Sequence, residues 1–168
     1  MSRDPAEKLD VAALVAEGSA LEIECELKDL TRLAPLLREQ RGSAHARFRF
    51  HDLAGFAAAE GQVRATLALT CQRCLDEVAV PLEVECRLFF VEGEQVDPGG
   101  PADYEPVVMH DGRISRAELV EDELILALPL IATHGEGSGC MVRPAAATPV
   151  ARESTQRPFA GLRELMKD

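Results

Sequence analysis

The sequence predicts an α+β fold: a mainly antiparallel β-sheet, open or barrel-like, with a capped helix at about residues 115–128 and a short C-terminal helix. Three observations predict it. Apolar and polar residues alternate with period two in four stretches. A helix-start signature stands at Ser115. The links between the later strand patterns hold the glycines and the close-spaced cysteines that suit tight reversals.

The first alternation sets Leu21, Ile23, Cys25 and Leu27 against Glu22, Glu24, Glu26 and Lys28, a half-buried strand with an acidic face. The second sets Ala46, Phe48 and Phe50 against Arg47, Arg49 and His51. The third sets Val63, Ala65, Leu67 and Leu69 against Arg64, Thr66 and Ala68, and a hairpin turning near Gly55 to Gly61 joins it to the second. The longest runs over residues 78–90, with Val78, Val80, Leu82, Val84, Cys86, Leu88 and Phe90 on one face. Pro81 has no N–H, so that strand is expected at an edge or bulged there. Cys71-Gln72-Arg73-Cys74 falls where the preceding hairpin should turn.

Residues 92–113 are acidic and rich in Pro and Gly, a loop. Ser115 and Glu118 then have the spacing of a capping box, and Ile114 with Leu119 that of a hydrophobic staple. The helix turns Leu119, Val120, Leu124, Ala127 and Leu128 inward and stops at Pro129. Residues 141–157 read as a flexible linker, and a last helix is expected from Phe159 to Met166. The chain thus divides into an N-terminal segment 1–20, one α+β domain 21–140, the linker 141–157 and a C-terminal helix or tail 158–168.

Composition bounds the function. The chain has 168 residues, no Trp, one Tyr and six Phe, so its core is built from Leu, Val, Ala and Ile, and stacking platforms for bases are scarce. A net charge of -11 argues against a general phosphate-binding surface, DNA included, because such affinity comes from Lys and Arg displacing counterions. Residues 92–123 hold ten Asp or Glu against Arg113 and Arg116, so this segment is the candidate surface for a basic partner; the alternative is a solvated face that aids solubility. The N-terminus carries charges of both signs without a secretory apolar stretch, and no run is long enough to span a bilayer, so a cytoplasmic protein without a membrane partner is expected. Five cysteines in such a chain are better read as thiols or metal ligands than as a disulfide framework.

Cys71 and Cys74 have the spacing for two thiolates on one metal ion, and His134 with Cys140 could complete a tetrahedral Cys₃His set, one structural zinc being the expected ion. A thioredoxin-like redox pair is the alternative, but it needs a βαβ setting; two plain thiols in a hairpin is the other. Cys25 and Cys86 sit on apolar strand faces and read as core. Glu121, Asp122 and Glu123 fan over about 200° of a helix and cannot line one site. Glu121 and Asp122 are candidates for contact with a basic partner, while Glu123, on the stripe of Leu119, needs a hydrogen-bond partner. Arg47, Arg49 and Arg64 share one face, with Arg73 at the nearby turn. This strip could touch RNA phosphates or pair with Glu22, Glu24 and Glu26 across the sheet. No phosphate loop, nucleophile elbow or His-Glu-x-x-His occurs, so no catalytic residue is expected and the chain reads as a non-enzyme.

Leu69-Thr70-Cys71-Gln72-Arg73-Cys74-Leu75, Tyr104-Glu105-Pro106, the block from Val120 to Pro129 with Glu121-Asp122-Glu123, then His134, Cys140 and Pro158-Phe159 resemble, in order and spacing, the YceD-like large ribosomal RNA subunit accumulation proteins. The resemblance runs from about residue 20 to the C-terminus. It implies a bacterial cytoplasmic protein needed for normal synthesis, processing or stability of the large-subunit (23S) ribosomal RNA, in a family with no assigned enzymatic activity. The motif residues it carries over are Cys71, Arg73, Cys74, Glu121, Asp122, Glu123, His134 and Cys140. Its partner would be the large-subunit rRNA precursor or a basic ribosomal protein. Beside that binding role stand an acidic holdase for a basic ribosomal protein and, last, a zinc- or thiol-dependent enzyme.

Overall fold

The computed structural model describes residues 6–93, 100–135, 138 and 140. The expected linker and C-terminal helix lie outside them. A short strand β1 (Lys8–Asp10) leads into helix α1 (Val11–Glu17), which Asp10 caps by accepting the Ala13 N–H at 3.0 Å. Four strands follow in antiparallel order: β2 (Ala20–Glu26), β3 (Ser43–Leu53), β4 (Phe56–Thr70) and β5 (Glu77–Glu92). β6 (Glu105–Met109) joins β5 in parallel, so the five-stranded sheet is mixed and open, in the order β2-β3-β4-β5-β6 with no barrel closure. β7 (Arg113–Ser115) pairs with β1 as a separate ribbon and runs into helix α2 (Arg116–Leu126). Among the described residues no helix is long and apolar enough to cross a membrane.

The alternations of the sequence decide the inner face of the sheet. Ile23 and Cys25, Phe48 and Phe50, Val63 and Leu67, and Leu88 and Phe90 are all buried in one cluster, with the Phe50 and Phe90 rings stacked at 5.8 Å. Val11, Leu119, Val120 and Leu124 bring the two helices onto that cluster. The link from β2 to β3 completes it. Two 3₁₀ turns, Leu27–Asp29 and Ala34–Leu36, let Leu27, Leu30 and Leu33 reach full burial. At about 1.5–3 kcal/mol per buried leucine, this irregular link contributes as much apolar burial as a helix face.

The β3–β4 reversal is tighter than expected. Ala54 and Gly55, with φ of 53° and 90°, form a two-residue turn, and β4 runs straight through Gly61. Gly61 lies opposite Phe48 on one side and Cys86 on the other; a Cβ there would fall 2.3 Å from Phe48 Cδ1. The glycine makes room for the phenyl ring. Pro81 sits as expected on an edge, because β6 pairs β5 only from Leu88 onward.

The start of α2 follows the expected signature. Ser115 Oγ accepts the Glu118 N–H at 3.0 Å and Glu118 accepts the Ser115 N–H at 3.1 Å. The helix ends at Leu126, two residues short of the expected limit, where the Leu128 N–H turns to the Ile125 carbonyl ahead of Pro129.

Candidate metal centre and charged faces

Thr70 ends β4 and Glu77 opens β5, so residues 71–76 must reverse the chain. The Cys71 N–H donates to the Asp76 carbonyl at 2.8 Å, the Leu75 N–H donates to the Cys71 carbonyl at 2.9 Å, and Leu75 takes a left-handed φ of 65°. That knuckle brings the Cys71 and Cys74 side chains together. The segment after α2 is laid across it: the Gln72 N–H donates to the Ala132 carbonyl at 2.8 Å, and Gln72 Nε2 donates to the Leu130 carbonyl at 3.2 Å. His134 and Cys140 arrive beside the knuckle as a result.

The four candidate ligands Cys71, Cys74, His134 and Cys140 meet: their ligand atoms all lie within 4.8 Å of one another. Cys71 Sγ is 3.6 Å from Cys140 Sγ, and Cys74 Sγ is 3.5 Å from His134 Nδ1. A tetrahedral zinc, with Zn–S about 2.3 Å and Zn–N about 2.0 Å, has ligand–ligand edges of about 3.5–3.8 Å, so these spacings fit it. His134 Nε2 lies 2.8 Å from the Glu77 carbonyl, which can only accept; Nε2 therefore carries the proton, and the Nδ1 lone pair faces the sulfurs. Burial pushes the Cys71 thiol up, but hydrogen bonds from the backbone of Cys74, Arg73 and His134 and from the Cys74 side chain outweigh it and bring it down to about 5. Burial pushes Cys140 up, reinforced by hydrogen bonding to Cys74 and Cys71 and by their charge, to about 11. The cluster can hold a metal ion with four protein ligands.

The arginine strip also forms, and the acids across the sheet engage it. Arg47 and Arg49 share the outer face of β3, and Arg64 stands on β4 opposite His45. Arg47 Nε lies 3.1 Å from Glu22 Oε1, and Arg64 Nη2 lies 2.8 Å from Glu83 Oε1. Arg49 and Arg87 flank Glu60 in register, which also accepts from the Tyr104 hydroxyl at 3.0 Å. Arg87 on this face was missed by the sequence reading, although its odd position opposite the apolar residues of 78–90 pointed to it. Arg73 is exposed on the knuckle.

The acidic triplet of α2 splits three ways. Glu121 is buried and accepts from the Arg32 N–H at 2.6 Å, the Leu33 N–H at 2.9 Å and Arg32 Nε at 3.0 Å. Asp122 holds Arg32 Nη1 at 2.6 Å and is half-exposed. Both candidate contact residues thus face Arg32, on a link that carried no periodic signal. Glu123 is only 6% exposed, and its partner is the Cys86 thiol. Burial first, then the charges of Glu105 and Asp122, push its carboxyl up to about 7. Burial, and then Glu123, push the Cys86 thiol to about 12. Glu123 and Cys86 border a cleft of about 850 Å³ that also meets Glu85, Asp103, Glu105 and Leu126.

An open mixed sheet whose β4–β5 knuckle and post-helix segment converge on a Cys₃His cluster defines the class: an α+β protein with a candidate metal knuckle. The chain belongs to the YceD family. The family model described as "Large ribosomal RNA subunit accumulation protein YceD" matches residues 59–166, from β4 through the knuckle and α2. A curated protein of that description from Haemophilus influenzae is 34% identical over 107 residues, which cover 62% of this chain and 62% of that relative's length. No solved structure matches.

Proposed function

We propose that this protein supports the synthesis, processing or stability of the 23S rRNA of the large ribosomal subunit in the bacterial cytoplasm, acting by binding and not by catalysis. The observation that carries this reading is the family match over residues 59–166, which takes in the knuckle and α2 together. The outer sheet face, with Arg47, Arg49, Arg64 and Arg87, is the surface we assign to the rRNA precursor: all four are exposed, and Arg47 and Arg64 are held by Glu22 and Glu83, cross-strand acids that phosphates can replace. We assign the Cys71, Cys74, His134 and Cys140 cluster to one structural zinc. Four protein ligands close the coordination shell and leave no position for a substrate, which supports a structural over a catalytic ion.

The test is deletion of the gene with measurement of the 23S to 16S ratio, followed by complementation. The ratio falls on deletion and is restored by the wild-type chain. It is not restored by Arg47→Ala/Arg49→Ala/Arg64→Ala if RNA is the direct partner. An unchanged ratio on deletion sinks the reading. A second reading, an acidic holdase for a basic ribosomal protein, is favoured by the cleft at Glu123, where Glu60, Glu85, Asp103 and Glu105 outnumber Arg47, Arg49 and Arg87. That function survives the triple arginine variant.

A further inference from the structure

β5 is paired on one side with β4 from Glu77 to Phe89, but on its other side β6 covers only Leu88 to Glu92. The Glu77 carbonyl is taken by His134. Between these two stops the stretch from Val78 to Arg87 has no second neighbour among the described residues. Ten residues of free edge extend for about 33 Å. Its inward row is less completely covered in the middle: Val78 and Cys86 at the ends are buried, while Val80, Leu82 and Val84 between them are partly buried against the core. Leu126 beside the cleft is 71% exposed.

Acids outnumber arginines around this edge: Glu83 is paired with Arg64, and the cleft at the Cys86 end gathers Glu60, Glu85, Asp103, Glu105 and Glu123 against Arg47, Arg49 and Arg87. Glu83 and Glu85 point to the outer face. Among the described residues the one group that hydrogen-bonds the buried Glu123 carboxylate is the Cys86 thiol, a weak donor, and its charged neighbours are Glu105 and Asp122. Asp122 is already bound to Arg32. Arg47, Arg49 and Arg87 also line the cleft, Arg47 bound to Glu22 and Arg49 and Arg87 in register with Glu60, but the charges that act on Glu123 are those of Glu105 and Asp122. A cation beside Glu123 would complete this corner.

We propose that the β5 edge from Val78 to Arg87 accepts an extended basic segment of a partner protein as an added strand, with a lysine or arginine opposite Cys86 reaching Glu123. Residues paired across two strands point to the same face. The segment therefore presents apolar side chains opposite Leu82 and Val84, and basic ones opposite Cys86 on the inner face and opposite Glu83 and Glu85 on the outer. A second copy of this chain is a poor occupant, because pairing the same edges would bring Glu83 and Glu85 close to their own counterparts. RNA phosphates are disfavoured beside Glu105 and Glu123. The inference rests on the reading that a basic ribosomal protein is among the partners.

The experiment uses the isotope-labelled full-length protein and a capped peptide, Thr-Lys-Arg-Val-Lys-Val-Thr, which in antiparallel register sets basic residues opposite Cys86, Glu85 and Glu83 and valines opposite Val84 and Leu82, with a control carrying Glu for every Lys and Arg. Expected are amide shifts and slowed hydrogen exchange confined to residues 78–87 with the basic peptide, and none with the acidic one. The double variant Glu83→Lys/Glu85→Lys, on the exposed outer face, weakens binding about tenfold or more, as does Glu123→Gln. No shift at about 1 mM peptide, shifts elsewhere, or equal affinity for the charge-reversed variant overturns the proposal. If the peptide fails while gene deletion still lowers 23S rRNA, the edge proposal falls and the ribosomal role stands. If deletion leaves 23S rRNA unchanged while the peptide seats along β5, the reverse holds.

Discussion

Glu121 accepts the backbone N–H groups of both Arg32 and Leu33, so one carboxylate on α2 fixes a turn 88 residues earlier in the chain. Replacing it leaves two donors without an acceptor beside buried leucines. Glu121→Ala is expected to destabilise the fold by about 3 kcal/mol and Glu121→Gln by about 1–2 kcal/mol, since the amide retains one acceptor oxygen. Urea unfolding at neutral pH measures both; equal midpoints for wild type and Ala variant contradict the role.

Glu123 gives the stability a pH dependence of its own. Its folded carboxyl titrates at about 7, above the ordinary carboxylate range, so the folded state favours the proton. Stability from this group is complete below about pH 4.5, declines as pH rises, and is lost once pH passes about 7. Glu123→Gln removes that decline. The variant gains about 2 kcal/mol on wild type between pH 5 and pH 8, read as the difference in urea midpoints at the two values.

Metal at the knuckle is tested by elemental analysis of protein purified under reducing conditions, with one zinc per chain expected. Cys71→Ser and Cys74→Ser abolish it. Chelation lowers the unfolding free energy by about 3 kcal/mol or more, and acidification releases the ion as the thiolates take up protons. Zinc-free wild type would remove the assignment.

Gly61 and Phe48 form a steric pair. Gly61→Ala costs about 1–3 kcal/mol because the new methyl falls within the ring of Phe48. Phe48→Leu in the same chain recovers part of that cost, and a double-mutant cycle reads the coupling.

Periodicity made the sheet and α2 legible: the alternations assigned the inner faces of β2 to β5, and the capping box placed the start of α2. The Cys-x-x-Cys turn and the later His134 and Cys140 were legible as one cluster of candidate ligands because coordination chemistry restricts residue types. Other features were hidden for physical reasons. Residues 27–37 bury leucines from 3₁₀ turns, which have no long period to detect. The parallel placement of β6 and the pairing of β1 with β7 depend on contacts distant in sequence. Arg32 as the partner of Glu121 and Asp122 was equally invisible, whereas the need of Glu123 for a partner was readable, and Cys86, taken for inert core, supplies it.

The separation of the knuckle's halves bears on when the protein can finish folding. Cys74 and His134 are 60 residues apart and Cys71 and Cys140 are 69 apart. During synthesis the β3–β4–β5 meander emerges with two thiols and can pair locally, while the remaining ligands are still to be made. An ion captured early would be held by two sulfurs alone. With the zinc proposed above, full coordination would come only after Cys140 is made, and metal starvation is expected to leave newly made molecules with a formed hairpin and the segment after α2 undocked from the knuckle.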